Sequence, residues 1–122
     1  MILFKPYHVP LILSGRKTQT RRLGKKRWIV GAVHQAKVSY MAKPFASIKV
    51  KMLWKEKLGQ INHVGAIAEG YDDVNAYLEA FEKIYGAADM QQEVWVLDFE
   101  RVEAHTASGD TREEIEGIGR RR

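Results

Sequence analysis

Residues 12–22 read ILSGRKTQTRR, and this stretch decides how the rest of the chain is interpreted. Gly15 indicates a turn, since a residue without a Cβ commonly ends a helix. Four basic side chains and two threonine hydroxyls follow within seven residues. Donors at this density suit a phosphate or the edge of a nucleobase, although the spacing of a Walker phosphate loop is missing. A solvated basic strand is the alternative interpretation.

The segments on either side of this turn predict a strand, a short helix and a second strand. Ile2 to Phe4 is a short apolar strand. Tyr7 to Ser14 is typical of a helix that tolerates Pro10 in its first turn and ends at Gly15. Lys17 to Leu23 is polar and rich in threonine, which favours a strand beside a cleft over a core strand.

Three further strands are predicted from alternation and apolar content. Ala32 to Ser39 alternates weakly, whereas Phe45 to Trp54 alternates clearly between polar and apolar residues. The apolar face of the latter consists of Ala46, Ile48, Val50, Met52 and Trp54. Val94 to Val102 is a last strand, apolar at first and charged at its end.

A helical insert is predicted before this last strand. Apolar residues recur at helical spacing at Val74, Tyr77, Leu78, Phe81, Ile84 and Tyr85. Asp72 and Asp73 supply an N-cap and favourable charge at the start, and Gly86 ends the helix. Ile61 to Glu69 is expected to form a shorter helix ahead of it.

The elements together predict an α+β fold, a small β-barrel with a short N-terminal helix and a helical insert over one end. No repeat or linker interrupts residues 1–102, which we expect to form a single domain. Residues 103–122 hold few apolar side chains and end in three arginines, Arg120 to Arg122. We expect this segment to be a loosely attached tail.

Charge is distributed very unevenly along the 122 residues. Residues 1–61 contain 14 Lys or Arg and one acidic residue, Glu56, whereas residues 62–122 contain 6 Lys or Arg and 14 acidic residues. A positive face of this kind attracts a polyanion, with nucleic acid the first candidate. The alternative is that basic and acidic segments pair with each other in the folded chain.

The composition also excludes several classes of protein. The chain has no cysteine, which excludes disulfides, a thiolate zinc site and a cysteine nucleophile. No run of 18 apolar residues is present, so a membrane-spanning helix is not expected. The N-terminus does not have the pattern of a secretory signal. A cytoplasmic domain with no membrane partner is the expectation.

The pattern Gly15-x-Lys17-x-x-Thr20-x-Arg22 is similar to the signature of ASCH domains, small β-barrel domains related to the PUA RNA-binding fold. The resemblance extends over most of residues 2–102, in the order of strands, turn and helical insert. Many ASCH domains carry Glu at the position of Thr20. With threonine at this position, the motif resembles that of the bacterial branch characterised as N4-acetylcytidine amidohydrolases.

The resemblance to this branch implies that Lys17, Thr20 and Glu69 are catalytic residues. The first two match by motif, and Glu69 matches by its place ahead of the insert helix. Amide hydrolysis needs an activated water, a stabilised oxyanion and a proton for the leaving amine. In one assignment Lys17 is the base, because neighbouring cations lower its pKa. In the other, Glu69 is the base and Lys17 stabilises the oxyanion. The sequence is equally compatible with both.

One geometric requirement follows. Positions 17 and 20 of a regular strand face opposite sides, because side chains alternate with a period of two. Lys17 and Thr20 can converge only if Lys17 still lies in the turn after Gly15, or if its long stem bends around the strand edge.

Other residues of the basic region are candidates for binding a ligand or RNA: Gly15, Arg16, Thr18, Arg21, Arg22, Lys26, Arg27, Trp28, Tyr40 and Lys43. Trp28 and Tyr40 supply rings that can line a base-binding cleft, whereas Trp54 and Trp95 are assigned to packing. The four histidines are scattered, so neither a metal site nor another cofactor is expected.

Three functional hypotheses result. The first is binding of RNA, or of a nucleotide- or nucleoside-like ligand, in a basic cleft around Gly15–Arg22. The second is an amidohydrolase that removes the acetyl group from N4-acetylcytidine-type compounds. The third is an interaction domain whose basic face docks on an acidic protein.

Overall fold

The computed structural model describes residues 1–103. The strands are β1 (Ile2–Leu3), β2 (Gln19–Arg22), β3 (Val33–Lys37), β4 (Ala46–Lys57) and β5 (Glu93–Val102). The α-helices are α1 (Val9–Leu13), α2 (His63–Glu69) and α3 (Val74–Tyr85), with 3-10 turns at Pro6–His8 and Leu58–Gln60. Every predicted element within these residues is present, with ends shifted by a few residues.

The five strands form one curled, half-barrel sheet in the order β1-β3-β4-β5-β2. β1 runs parallel to β3, and the remaining neighbours are antiparallel. The two short strands that flank the Gly15 turn, β1 and β2, therefore lie at opposite edges of the sheet. This arrangement confirms the predicted α+β, barrel-like fold.

β2 pairs with β5, and Thr18, the residue before β2, forms backbone hydrogen bonds to both β5 and α2. Thr20 pairs with Leu97 of β5, and the Thr18 carbonyl accepts a hydrogen bond of 2.9 Å from the Phe99 amide. The Thr18 amide donates to the Ala68 carbonyl of α2 at 2.8 Å. The basic segment is thus fixed between β5 and α2 and is not a solvated strand.

The core occupies both faces of the sheet. The first cluster consists of Ile2, Phe4, Ile12, Trp28, Ala36, Ile48, Val50, Leu97 and Phe99. The second, beneath α2 and α3, consists of Leu58, Ile61, Ala66, Tyr77, Phe81, Val94 and Val96. β5 serves both clusters because successive side chains of a strand point to opposite faces.

The alternation predicted for β4 is wrong beyond its middle. The register with β5 shifts between Val50 and Met52, as at a β-bulge. One extra residue reverses which face the following side chains occupy. Leu53 therefore packs against the first cluster, Trp54 packs against the second, and Met52 is exposed.

The insert helix α3 begins and ends as predicted. The Asp73 side chain caps it by accepting a 2.8 Å hydrogen bond from the Ala76 amide, and Gly86 follows its last residue. Asp72 does not cap the helix, since it lies 3.8 Å from Arg16 instead. The expected tail and Arg120 to Arg122 lie outside the described residues, and the domain boundary stays a prediction.

Within residues 1–103, no helix has both the length and the apolar character that crossing a bilayer requires.

Gly70, which ends α2, is expected to resist substitution more than Gly15. Both have positive φ, +100° and +83°, so alanine costs each about 1 kcal/mol of backbone strain. A Cβ on Gly70 would also lie 3.0 Å from Leu11 Cδ1, whereas one on Gly15 would meet no atom within 4 Å. Urea denaturation should show Gly70→Ala losing about twice as much stability as Gly15→Ala. Equal losses would contradict this account of the packing at Gly70.

Candidate functional site

A cavity of about 260 Å³ lies between the N-terminal segment, β2 and α3. Lys17, Thr20 and Glu69, the three residues of the catalytic hypothesis, all line it. The remaining lining residues are Leu3, Phe4, Lys5, His8, Arg21, Arg22, Val38, Tyr71, Tyr77, Phe81, Ile84 and Tyr85. The cavity thus has two kinds of lining. Lys17, Thr20, Arg21, Arg22 and Glu69 form what we call its polar floor, and Tyr71, Tyr77, Phe81 and Tyr85 form its aromatic wall.

Lys17 meets the geometric requirement set by its spacing from Thr20. β2 begins at Gln19, so Lys17 lies in the turn that follows Gly15. The Lys17 amide donates to the Leu11 carbonyl at 3.0 Å, which holds this turn against α1. The rule that strand positions 17 and 20 face opposite sides therefore does not apply, and the two side chains line one cavity.

The Lys17 ammonium is buried and fully hydrogen-bonded. Only 2% of the residue is exposed, and Nζ donates to the Gln19 carbonyl at 2.8 Å, the Glu69 carbonyl at 2.8 Å and Glu69 Oε1 at 3.0 Å. Burial lowers the pKa of Lys17, and the Glu69 carboxylate opposes that effect. Three acceptors around three N–H bonds match the ammonium form.

Glu69 connects Lys17 to a longer chain of charges. Its other oxygen, Oε2, accepts from Arg21 Nη1 at 3.1 Å, and Arg21 Nε donates to Glu56 at 3.2 Å. α2 can approach Arg21 closely because it carries Gly65, where a Cβ would lie 2.9 Å from Arg21 Nη2. The buried charges therefore alternate in sign and are paired.

The Thr20 hydroxyl is oriented by Arg22. Arg22 Nε donates to Thr20 Oγ1 at 2.9 Å, and Nη2 donates to the Leu3 carbonyl of β1 at 2.8 Å. The guanidinium also lies over the Phe4 ring, 5.1 Å from its centroid. Because Oγ1 accepts from Arg22, the hydroxyl proton is free to donate to a ligand.

The aromatic wall comes from α3 and from Tyr71, which lies between α2 and α3. Tyr71 packs edge-on against Tyr77, which contacts Phe81, and Phe81 lies 4.7 Å from Tyr85. Burial raises the pKa of Tyr71 and of Tyr77, so both hydroxyls stay neutral. The helical stripe includes Tyr77 and Phe81, which are buried, whereas Ile84 and Tyr85 at its end are about half exposed and border the cavity.

His8 is a cavity residue that the sequence analysis missed. Its ring lies between Tyr7 and Tyr71, at centroid distances of 4.5 and 5.5 Å. Burial, with the charges of Lys17 and Arg22, lowers its pKa to about 3. A neutral imidazole therefore lines the cavity at physiological pH. From the sequence, His8 belongs to the predicted Tyr7 to Ser14 helix and counts only among four scattered histidines.

The remaining predicted ligand-binding residues do not line this cavity. Lys26, Arg27, Tyr40 and Lys43 are exposed, as are Gly15 and Arg16, whereas Thr18 is half-buried; none of them lines the cavity. The expectation that Trp28 lines the cleft is corrected: it is 8% exposed and packs in the first core cluster. Its large apolar ring is better stabilised there than beside the charged loop that precedes it.

No site for a metal ion is visible in the described part of the chain. Among residues 1–103, no three His, Asp or Glu side chains are grouped closely enough to hold one. His34 lies on β3 and His63 begins α2, each apart from the cavity.

The neutral state of His8 predicts a stability that depends on pH. Its pKa is about 3 in the folded protein and near 6.5 in the unfolded chain, so the unfolded state binds the proton first. Stability present at neutral pH is therefore lost as the pH falls from 6.5 towards 3. Urea denaturation of the wild type should lose about 2 kcal/mol more than His8→Phe between about pH 7 and pH 5. Parallel pH curves for the two proteins contradict the assignment.

The fold matches solved structures, whereas neither a protein-family model nor a curated protein matches the sequence. An ASCH domain from Lactobacillus crispatus is 19% identical, with a TM-score of 0.66 over 82% of this chain and 76% of that one. A DUF984 protein from Enterococcus faecalis is 16% identical, with a TM-score of 0.62 over 88% and 75% of the two chains. A mutant ASCH protein from Zymomonas mobilis is 8% identical, with a TM-score of 0.55 over 91% and 81%. The chain therefore has the fold of the ASCH domains.

Proposed function

We propose that the cavity binds a ligand of nucleoside size through a planar base. The observation that carries this proposal is the meeting of Lys17, Thr20 and Glu69 beside a row of aromatic rings in one cavity. Aromatic side chains stack on the faces of bases, and hydroxyl, ammonium and carboxylate groups read their edges. The two kinds of group occur together here because β2 and α2 supply the polar floor and α3 supplies the rings.

The size of the cavity favours a small ligand over an extended polymer. Its volume is about 260 Å³, and the exposed basic residues Lys26, Arg27 and Lys43 are not part of its wall. An RNA would therefore reach the polar floor by inserting a single unstacked base, which is the common mode of sequence-specific RNA recognition.

A second candidate function is hydrolysis of the acetyl amide of an N4-acetylcytidine-type compound. The observation that favours it is the 3.0 Å contact between the Lys17 ammonium and the Glu69 carboxylate in the cavity that Thr20 also lines. The Thr20 hydroxyl accepts from Arg22, so its proton is available to a ligand. In this reaction a water oxygen bonds to the acetyl carbon, and the carbonyl oxygen takes the electron pair. The bond from carbon to nitrogen then breaks, the nitrogen takes a proton, and acetate and cytidine leave.

The hydrogen bonds of Lys17 favour one of the two assignments of the base. All three of its N–H bonds already face acceptors, so Lys17 is an ammonium with no lone pair to take a proton from water. Glu69 then takes the proton from water and returns it to the leaving amine. Thr20 donates a hydrogen bond to the carbonyl oxygen as that oxygen becomes negative.

Cytidine is the first ligand to test, with Thr20→Val and Thr18→Val as a matched pair. Valine keeps the shape of threonine but cannot donate a hydrogen bond. Isothermal titration calorimetry should show cytidine binding about tenfold weaker to Thr20→Val, the loss of one hydrogen bond. Thr18→Val, outside the cavity, should bind as the wild type does. Equal weakening by both variants, or no binding by the wild type, would contradict the proposed site.

Turnover of N4-acetylcytidine tests the second candidate through the change in its ultraviolet spectrum. Glu69→Gln keeps the size of the side chain, removes the base and replaces one of its two acceptor oxygens by a donor, so activity should fall by about 100-fold or more. Glu93→Gln removes a carboxylate from an exposed pair with Lys55 at 3.5 Å and should leave activity unchanged. The hydrolase function is excluded if the wild type shows no turnover, or if both variants match it.

A further inference from the structure

We infer that Arg22 binds an anionic oxygen group of the ligand, and that the ligand is a nucleotide whose phosphate occupies this position. The inference rests on the proposed function, since it names the class of ligand that the same cavity takes.

Arg22 differs from Lys17 and Arg21, the buried basic residues of the site, in having no acidic side chain within ion-pair distance among residues 1–103. Lys17 and Arg21 both contact the Glu69 carboxylate. Among residues 1–103, Arg22 forms no ion pair, and its contacts are the Thr20 hydroxyl, the Leu3 carbonyl and the Phe4 ring. A guanidinium is always charged at physiological pH. The Glu69 carboxylate acts on Arg22 only from beyond ion-pair distance. A charge that is partly withdrawn from water without a contacting counter-charge is costly, and an anion at this position reduces that cost.

The guanidinium also has a donor to spare. Nε and Nη2 are used within the protein, whereas Nη1 donates to no group in the described part of the chain. Because Nε and Nη2 hold the guanidinium plane in place, the direction of Nη1 is fixed as well, on a side chain that lines the cavity. A preorganised arginine donor of this kind suits the oxygens of a phosphate or carboxylate.

The charges around the cavity point to the same chemistry. Four basic residues and a single acidic residue line it: Lys5, Lys17, Arg21, Arg22 and Glu69. Glu56 compensates Arg21 from outside the wall, which still leaves positive charge in excess. A concave site with this balance concentrates anions. The uncompensated charge lies at Arg22 and at exposed Lys5, both on the side of the cavity formed by the N-terminal segment.

The test compares cytidine, cytidine 5′-monophosphate and inorganic phosphate by calorimetry at one fixed low salt concentration. The wild type should bind the monophosphate at least about tenfold more tightly than cytidine, and Arg22→Gln should reduce this ratio to about one. The ratio is the readout because general damage to the cavity weakens both ligands together. Arg22→Lys keeps the charge and should retain part of the preference.

Arg101→Gln is the matched control. Arg101 also donates to a backbone carbonyl, that of Leu13 at 3.3 Å, and does not line the cavity. It should keep the wild-type ratio. Equal affinities of the wild type for cytidine and its monophosphate, or an unchanged ratio in Arg22→Gln, overturn the inference while leaving the proposed nucleoside site intact.

Inorganic phosphate separates the two claims if no nucleoside or nucleotide binds. That result rejects the proposed function. Phosphate that raises the melting temperature of the wild type and of Arg101→Gln, but not of Arg22→Gln, supports the anion site by itself. Absence of that shift overturns the anion site as well.

Discussion

The buried ion pair between Lys17 and Glu69 is the constraint on which the site depends. Taking both charges out of water is costly, and their attraction compensates only when the remaining hydrogen-bonding groups are satisfied as well. Lys17 achieves this through two carbonyls and the carboxylate. The turn after α1 must therefore lie against the last residue of α2. The distance between these two elements is fixed by hydrogen bonds, whereas apolar contacts tolerate small shifts.

This constraint explains why the strongly basic first half of the chain does not form a uniformly basic cleft. Two of its cations, Lys17 and Arg21, are turned inward and paired with Glu69 and Glu56. Other basic residues, such as Lys26 and Lys43, remain exposed away from the cavity. The uneven charge along the sequence is thus divided in the fold, with pairing in the interior and scattered charge outside.

The order and type of the helices and strands could be predicted from local patterns, because each pattern depends only on the residues of its own segment. The stripe of α3 with its Asp73 cap, and the alternation at the start of β4, are of this kind. The bulge in β4 could not be predicted, since it depends on the register with β5, far along the chain. The same limit applies to the site. The motif predicted Lys17 and Thr20, whereas the burial of Trp28 and the position of His8 depend on packing between distant segments.

The cavity is built from two parts that the chain keeps separate. The turn, β2 and α2 hold the ionisable groups through hydrogen bonds, while α3 contributes rings and Ile84 from a helix inserted between β4 and β5. Of the α3 residues that border the cavity, Ile84 and Tyr85 are the last two of the helix and are about half exposed. Substitutions or insertions at the end of this helix can therefore widen or narrow the cavity for a different ligand, without disturbing the hydrogen-bonded ionisable groups of the turn, β2 and α2.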